Sequence, residues 1–312
     1  MNTEFRLIKL YRIRRFGEKI SDTFDFVREN WRPLLKYITY LLLPVALVQS
    51  FCMTNFMSGY MEFANMVIAD GRSASNLADM ASWMFSLGFY TLVNFVGFLL
   101  VTSLAYTMMQ QYEQRSTRLV GITFADMKPS IMRMVGRQIV LIVTGLILIV
   151  VIGLLIALMV AISRYFILPA IILAFAVFPV FFMIQPVYLF ENTGVISAYA
   201  KSVRLTWKTW AGIVGVVLVL YIIGSILSGL VSTPWYIMMM VKNVLAAQGN
   251  TAGFVSSFGY TAIQYLLGVV SSFFGSCILV LYDVGIAYQY GHACDKVDGV
   301  SVDQDIENFE TL

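Results

Sequence analysis

One histidine, His292, stands in a chain of 312 residues, with three cysteines, Cys52, Cys277 and Cys294. An HExxH zinc site needs two histidines. A Ser-His-Asp triad would have to use one that stands in the C-terminal tail, so neither can be assembled. His292 beside Cys294 has no further ligand at metal spacing, and the cysteines form no disulfide framework. Neither GxxxxGK nor a GxGxxG opening a soluble βαβ unit is present. No catalytic, metal or cofactor site is therefore predicted.

Charge is scarce as well: 12% of residues are Asp, Glu, Lys or Arg, against 59% hydrophobic. Soluble domains carry about twice that share of charge. No basic soluble domain remains to hold nucleic acid. The composition instead predicts an all-α, polytopic membrane protein. No cleavable signal precedes the first long apolar run, so that run is expected to stay as an anchor.

The apolar runs predict six spans, at about 34–53, 85–109, 139–163, 166–190, 211–231 and 262–287. Residues 1–33 are then a basic segment plus an amphipathic helix, 34–290 the membrane domain, and 291–312 an acidic, solvated tail. The 52 residues from Ile139 to Phe190 hold a single charge, Arg164. As one helix they would reach about 78 Å, too long for one crossing, so a joint is expected at Ser163-Arg164-Tyr165. Pro169, Pro179 and Pro186 predict a kinked fourth span. Pro44 predicts a kink in the first, and Pro234-Trp235 the start of an outer segment.

Cations fix the expected orientation. Of 21 Lys and Arg, 18 fall in segments alternating with the three that hold only Arg72, Arg164 and Lys242. That bias predicts six spans with both termini in the cytoplasm. On that side, amphipathic helices are expected before spans one, three and five. The clearest, Ile196 to Trp210, sets apolar residues on one face and Lys201, Arg204 and Lys208 on the other. Shifted by 176, residues 20–32 fall on 196–208 with five identities in 13 columns, Trp31 on Trp207 and Arg28 on Arg204 among them. A weaker counterpart, Ile122 to Arg137, precedes span three.

The residues expected to contact lipid headgroups or a membrane or cytoplasmic protein partner are thus Arg28, Trp31, Lys201, Arg204, Trp207, Lys208 and Trp210. A second set, Asn94, Gln185, Gln264 and Asp283, lies within the spans and could line a polar path. Small-xxx-small pairs, Gly224/Ser228 and Ser225/Gly229 in span five and Gly268/Ser272 and Ser271/Gly275 in span six, predict close helix approach.

The stretch ISAYAKSVRLTWKTWAGIVGVVLVL, through Ala198, Ser202 and Trp210, resembles uncharacterised bacterial six-span membrane proteins. These are loosely similar to the membrane domain of glycerophosphodiester phosphodiesterases. The ends, FGEKISDTFDFVRENWRPLLKY and AYQYGHACDKVDGVSVDQDIENFE, resemble members from Bacteroidetes-type bacteria. The phosphodiesterase catalytic barrel is absent, so the resemblance implies membrane residence and no hydrolase activity. Two functions remain open: a non-enzymatic scaffold or accessory subunit at the inner face, or a small-solute or lipid transporter with a path near kinked span four and span six.

Overall fold

The computed structural model describes residues 7–70, 77–115, 119, 121–247 and 253–301. Arg6, the Gly71-Arg72-Ser73 part of the first outer segment, Arg118, and the tail acids Asp303, Asp305, Glu307 and Glu310 lie outside the described residues.

Every element among the described residues is helical. In order they are α1 (Phe16–Glu29), α2 (Trp31–Asp70), α3 (Leu77–Arg115), α4 (Phe124–Ile162), α5 (Ile167–Val177), α6 (Val180–Phe190), α7 (Val195–Ala247) and α8 (Phe258–Asp298). A 3-10 turn, Arg164–Phe166, joins α4 to α5, at the predicted joint. Six stretches are long and apolar enough to cross a membrane, with α5 and α6 together forming the fourth. In hydrocarbon every backbone N–H and C=O must bond within its own segment, which only a helix achieves for a single span.

The helices outrun the apolar runs that predicted them. α2 continues through Pro44 to Asp70, and α7 continues through Pro234 to Ala247. A 40-residue helix is about 60 Å long, twice a hydrocarbon core of about 30 Å. Pro234 therefore does not begin a separate outer segment; its missing N–H costs one bond in a helix that many others hold. Span four is broken as expected: α5 ends at Val177, and Pro179 caps α6.

The acidic tail needs correction. Gly291 to Asp298 is not a solvated end but the last turns of α8, and Gly291, His292, Ala293, Cys294 and Asp295 are all buried. Charged residues near a chain end resemble a loose tail, but here Asp298 pairs with Lys201 and Arg204 on α7, and His292 accepts from the Arg14 N–H.

The chain divides into two compact units. Unit 2 comprises 35–101 and 222–279. Within it, the Gln49 amide donates to Asn94 Oδ1 at 3.3 Å, and Gln264 donates to Met239 sulfur at 3.1 Å. The Ser232 and Ser271 hydroxyls meet at 2.5 Å, and Gly268 leaves room for Ser50 and the Trp235 indole. Two predicted small residues, Gly268 and Ser271, thus make the expected close approach between α7 and α8. Gly229 and Gly275 face open space.

Unit 1 comprises 1–34, 102–221 and 280–312. Its core gathers Leu141, Met183, Val187, Leu205 and Tyr290. At Gly285 a Cβ would collide with Leu220 Cδ1, and at Gly291 with the Leu10 carbonyl oxygen. These glycines let α7 and the N-terminal strap lie against α8.

Within this unit the helix breaks coincide at an offset other than 176. α1 ends at Asn30 (φ −111°, ψ 19°), and α7 kinks at Thr209 (φ −132°, ψ 20°), 179 positions later. At that spacing buried Lys19, Thr23 and Phe26 fall on buried Ala198, Ser202 and Leu205, and Trp31 falls on Trp210. The identities at 176 lie on exposed or half-exposed faces, where composition rather than packing selects residues. The third counterpart has no break: Thr123 caps α4, which runs on to Ile162.

Replacing Gly285 by Val should cost about 1–3 kcal/mol through overpacking against Leu220, read as a lower unfolding temperature in detergent. Gly275→Ala, facing open space, should stay within about 0.5 kcal/mol of the parent.

Candidate functional site

The site in unit 1 is built on the strap of residues 7–15. Extended backbone needs partners for its N–H groups. Ile8 N–H donates to the Tyr112 hydroxyl at 3.1 Å, and Leu10 N–H to Glu113 Oε2 at 2.9 Å. Arg14 N–H donates to His292 Nδ1 at 3.0 Å, so that nitrogen carries no proton here. The Arg14 side chain is fully buried. It donates from Nε to Asp22 at 2.6 Å and from Nη1 to the Leu10 carbonyl at 2.9 Å, and it stacks over Tyr288.

Beside this strap opens a cavity of about 580 Å³. Arg14, Lys19, Lys208, His292 and Lys296 line it, with Trp207 and Trp210 at the α7 kink. Among the described residues no carboxylate lines it. Two acids bonded to or beside its lining residues are engaged: Asp22 with Arg14, and Asp295 with Ser301 N–H at 2.8 Å. Lys208 and Lys296 are exposed and form no ion pair among the described residues.

Lys19 is the unusual member, 4% exposed, with Nζ donating to Gln289 Oε1 at 2.7 Å. Burial, then the charges of Lys296 and Arg14, lower its pKa from 10.5 to about 8. The kink adds to the field. Thr209 hydroxyl donates back to Leu205 carbonyl at 2.8 Å, and the next helical run opens with Trp210, Ala211 and Gly212 along the cavity. The N-terminal end of a helical run carries partial positive charge. Such a set can hold and orient an anion.

A second cavity of about 530 Å³ is lined by the apolar side chains of Phe178 and Phe182, at the α5–α6 break, and by Ile213, Val217, Leu218 and Ile286. Trp210 stands between the two. It lines the cationic cavity and packs edge-on at 5.3 Å against Phe175, which lines the apolar one. Its Nε1 donates to the Ala176 carbonyl at 3.1 Å.

The residues expected at the inner face divide into three settings. Trp207, Lys208 and Trp210 line the cationic cavity. Lys201 pairs with Glu191 at 2.6 Å and Asp298 at 3.4 Å, and Arg204 pairs with Asp298 at 2.8 Å, so both bind the end of α8 to α7. Arg28 pairs with Asp25 at 3.0 Å on an exposed face, and Trp31 is exposed under Arg32.

The polar-path residues have separate surroundings. Asn94 and Gln264 are bonded within unit 2, as described above. Gln185 is half-buried on α6. Asp283 is buried in unit 1 beside Thr102 and within electrostatic reach of Tyr106; its Oδ2 and the Tyr106 hydroxyl have no hydrogen-bond partner among the described residues. No hydrogen bond joins Asn94 to Gln264, or Gln185 to Asp283, among the described residues.

Sequence reasoning missed Arg14, Lys19, His292 and Lys296 as one group. The first two were counted as orientation charges, and the last two were assigned to a loose tail. The one available signal was Lys19, which falls at a buried position on the face shared with Thr23 and Phe26. No family model, curated protein or solved structure matches the chain.

The depressed pKa of Lys19 has a definite sign. Between about pH 8 and 10.5 the folded protein has released this proton while the unfolded chain still holds it. Stability rises with pH wherever the unfolded state binds more protons. The difference in unfolding free energy between parent and Lys19→Met should therefore shift in the parent's favour across that window and be flat below it. A pH series of denaturant unfolding in detergent measures this.

Proposed function

We propose that this multi-pass protein is a non-enzymatic accessory component of the bacterial cytoplasmic membrane that binds an anionic group at its cytoplasmic face. The observation that carries this reading is the cavity of Arg14, Lys19, Lys208, His292 and Lys296, in whose lining no carboxylate stands among the described residues. Buried or crowded cations are costly unless an opposite charge joins them. The distribution of Lys and Arg supports placing this cavity and both termini in the cytoplasm. The exposed Trp207, and Trp31 beside the Asn30 break, suit amphipathic segments at an interface. The resemblance to six-span bacterial proteins agrees with this setting and supplies no activity.

One observation favours a second reading, lipid transport. The apolar cavity lies at the break in span four and against span six, where a transport path was expected. Movement of fluorescent lipid between leaflets of proteoliposomes separates the two: the accessory reading expects the rate of protein-free vesicles.

Orientation is tested by reporter fusions. Alkaline phosphatase inserted at Arg164 should be active, and green fluorescent protein after Leu312 should fluoresce. Active alkaline phosphatase fused after Leu312 would overturn the cytoplasmic placement.

A further inference from the structure

The same two helices, α7 and α8, contribute to the lining of both cavities. Along α7, residues 207–212 line the cationic one, and the apolar one begins at the next residue, Ile213, and runs to Tyr221. Their midpoints on α7 are about seven residues apart, or about 11 Å of helix. On α8 the order reverses: His292 and Lys296 line the cationic cavity, Tyr282 and Ile286 the apolar one. The two helices thus run antiparallel past both cavities, which follow one another along them. Each volume is within the range of about 300–1,000 Å³ typical of ligand sites.

From this geometry we infer that the two cavities are the halves of one site for an anionic glycerophospholipid, the phosphate among Lys19, Lys208 and Lys296 and an acyl chain along Ile213, Val217 and Leu218. The inference rests on the anion-binding reading above and names its ligand. Arg14 is already matched by Asp22, so it supports the site rather than supplying its free charge. The three lysines supply that charge. A free phosphate would satisfy them and leave the neighbouring apolar cavity unused. A zwitterionic lipid would fill the apolar cavity but bring its own cation to the lysines. Only a ligand with a net negative head and a hydrocarbon chain matches both halves. Trp210 lies at their junction, and Trp at the boundary between headgroup and chain is the usual arrangement at a membrane interface.

The test uses the full chain purified in a neutral detergent, with thermal unfolding as the readout, because a ligand that binds only the folded state raises the melting temperature. The probes are phosphatidylglycerol, phosphatidylcholine and glycerol 3-phosphate. Phosphatidylglycerol should give a saturable rise, with half-saturation at least about tenfold lower in concentration than for phosphatidylcholine. Lys208→Glu/Lys296→Glu alters two exposed side chains and should weaken phosphatidylglycerol by at least about tenfold. Leu218→Trp, at an exposed wall position of the apolar cavity, should weaken phosphatidylglycerol to a similar degree and leave any glycerol 3-phosphate response unchanged. If Leu218→Trp unfolds, Val217→Phe replaces it. Equal responses to the two lipids, or no effect of either wall variant, would overturn the lipid assignment. A glycerol 3-phosphate response as strong as that of phosphatidylglycerol would also overturn it, while preserving the anion-binding reading. No response to any probe would overturn both.

Discussion

A guanidinium buried to zero exposure sets the terms for the rest of unit 1. Arg14 cannot lose its charge, so each donor it carries needs an acceptor inside the protein. Asp22 on α1 and the carbonyls of Leu10 and Arg12 supply them, and Tyr288 supplies a ring face. Those bonds fold the strap back on itself, bring α1 over α8, and set the Arg14 N–H against His292. Gly291 completes the arrangement, because any side chain there would occupy the place of the Leu10 carbonyl. The wall of the cationic cavity is a consequence of satisfying one charge.

A second cluster does similar work on the other face of α8. Arg137 donates to the carbonyls of Tyr188, Glu191 and Thr193, closing the end of α6, where backbone oxygens lack helical partners. Glu191 then receives the Tyr290 hydroxyl at 2.6 Å and Lys201 at the same distance. Asp298 takes Arg204 and the remaining reach of Lys201. These charges neutralise one another. Cations that look alike in sequence therefore stand in opposite settings: Lys201 and Arg204 hold helices together, while Lys208, four residues beyond Arg204, is exposed with no ion pair among the described residues.

The sequence made the number of spans, the joint at Ser163 and the break in span four legible, because hydrocarbon length and proline chemistry act locally. It also marked Trp207, Lys208 and Trp210. It could not assemble Arg14, Lys19, His292 and Lys296, since contacts between residues nearly 280 positions apart leave no periodic trace. The repeat illustrates the same limit. Identities at an offset of 176 record which residues suit an exposed face. The offset of 179, at which the helix breaks and buried residues coincide, becomes visible only when Asn30 and Thr209 are seen to interrupt their helices alike. Asp283 was legible as an oddity in an apolar span, but its neighbours Thr102 and Tyr106 were not.

Orienting a membrane protein requires cations near the ends of its spans, and it requires nothing of their surroundings. Arg28 is exposed on the outside of α1, a setting that such a need allows. Lys19 does not need to be buried to meet it, yet it is, against an amide and beside two further cations. Burial of that kind lowers stability where no carboxylate among the described residues lines the cavity. An apolar residue of similar length would pack at position 19 without that cost, as Phe26 does two turns later on the same face. Retaining a lysine there makes physical sense if an anion restores the balance when it arrives. The apolar cavity that begins one residue beyond Gly212 makes a hydrocarbon chain the natural companion of that anion.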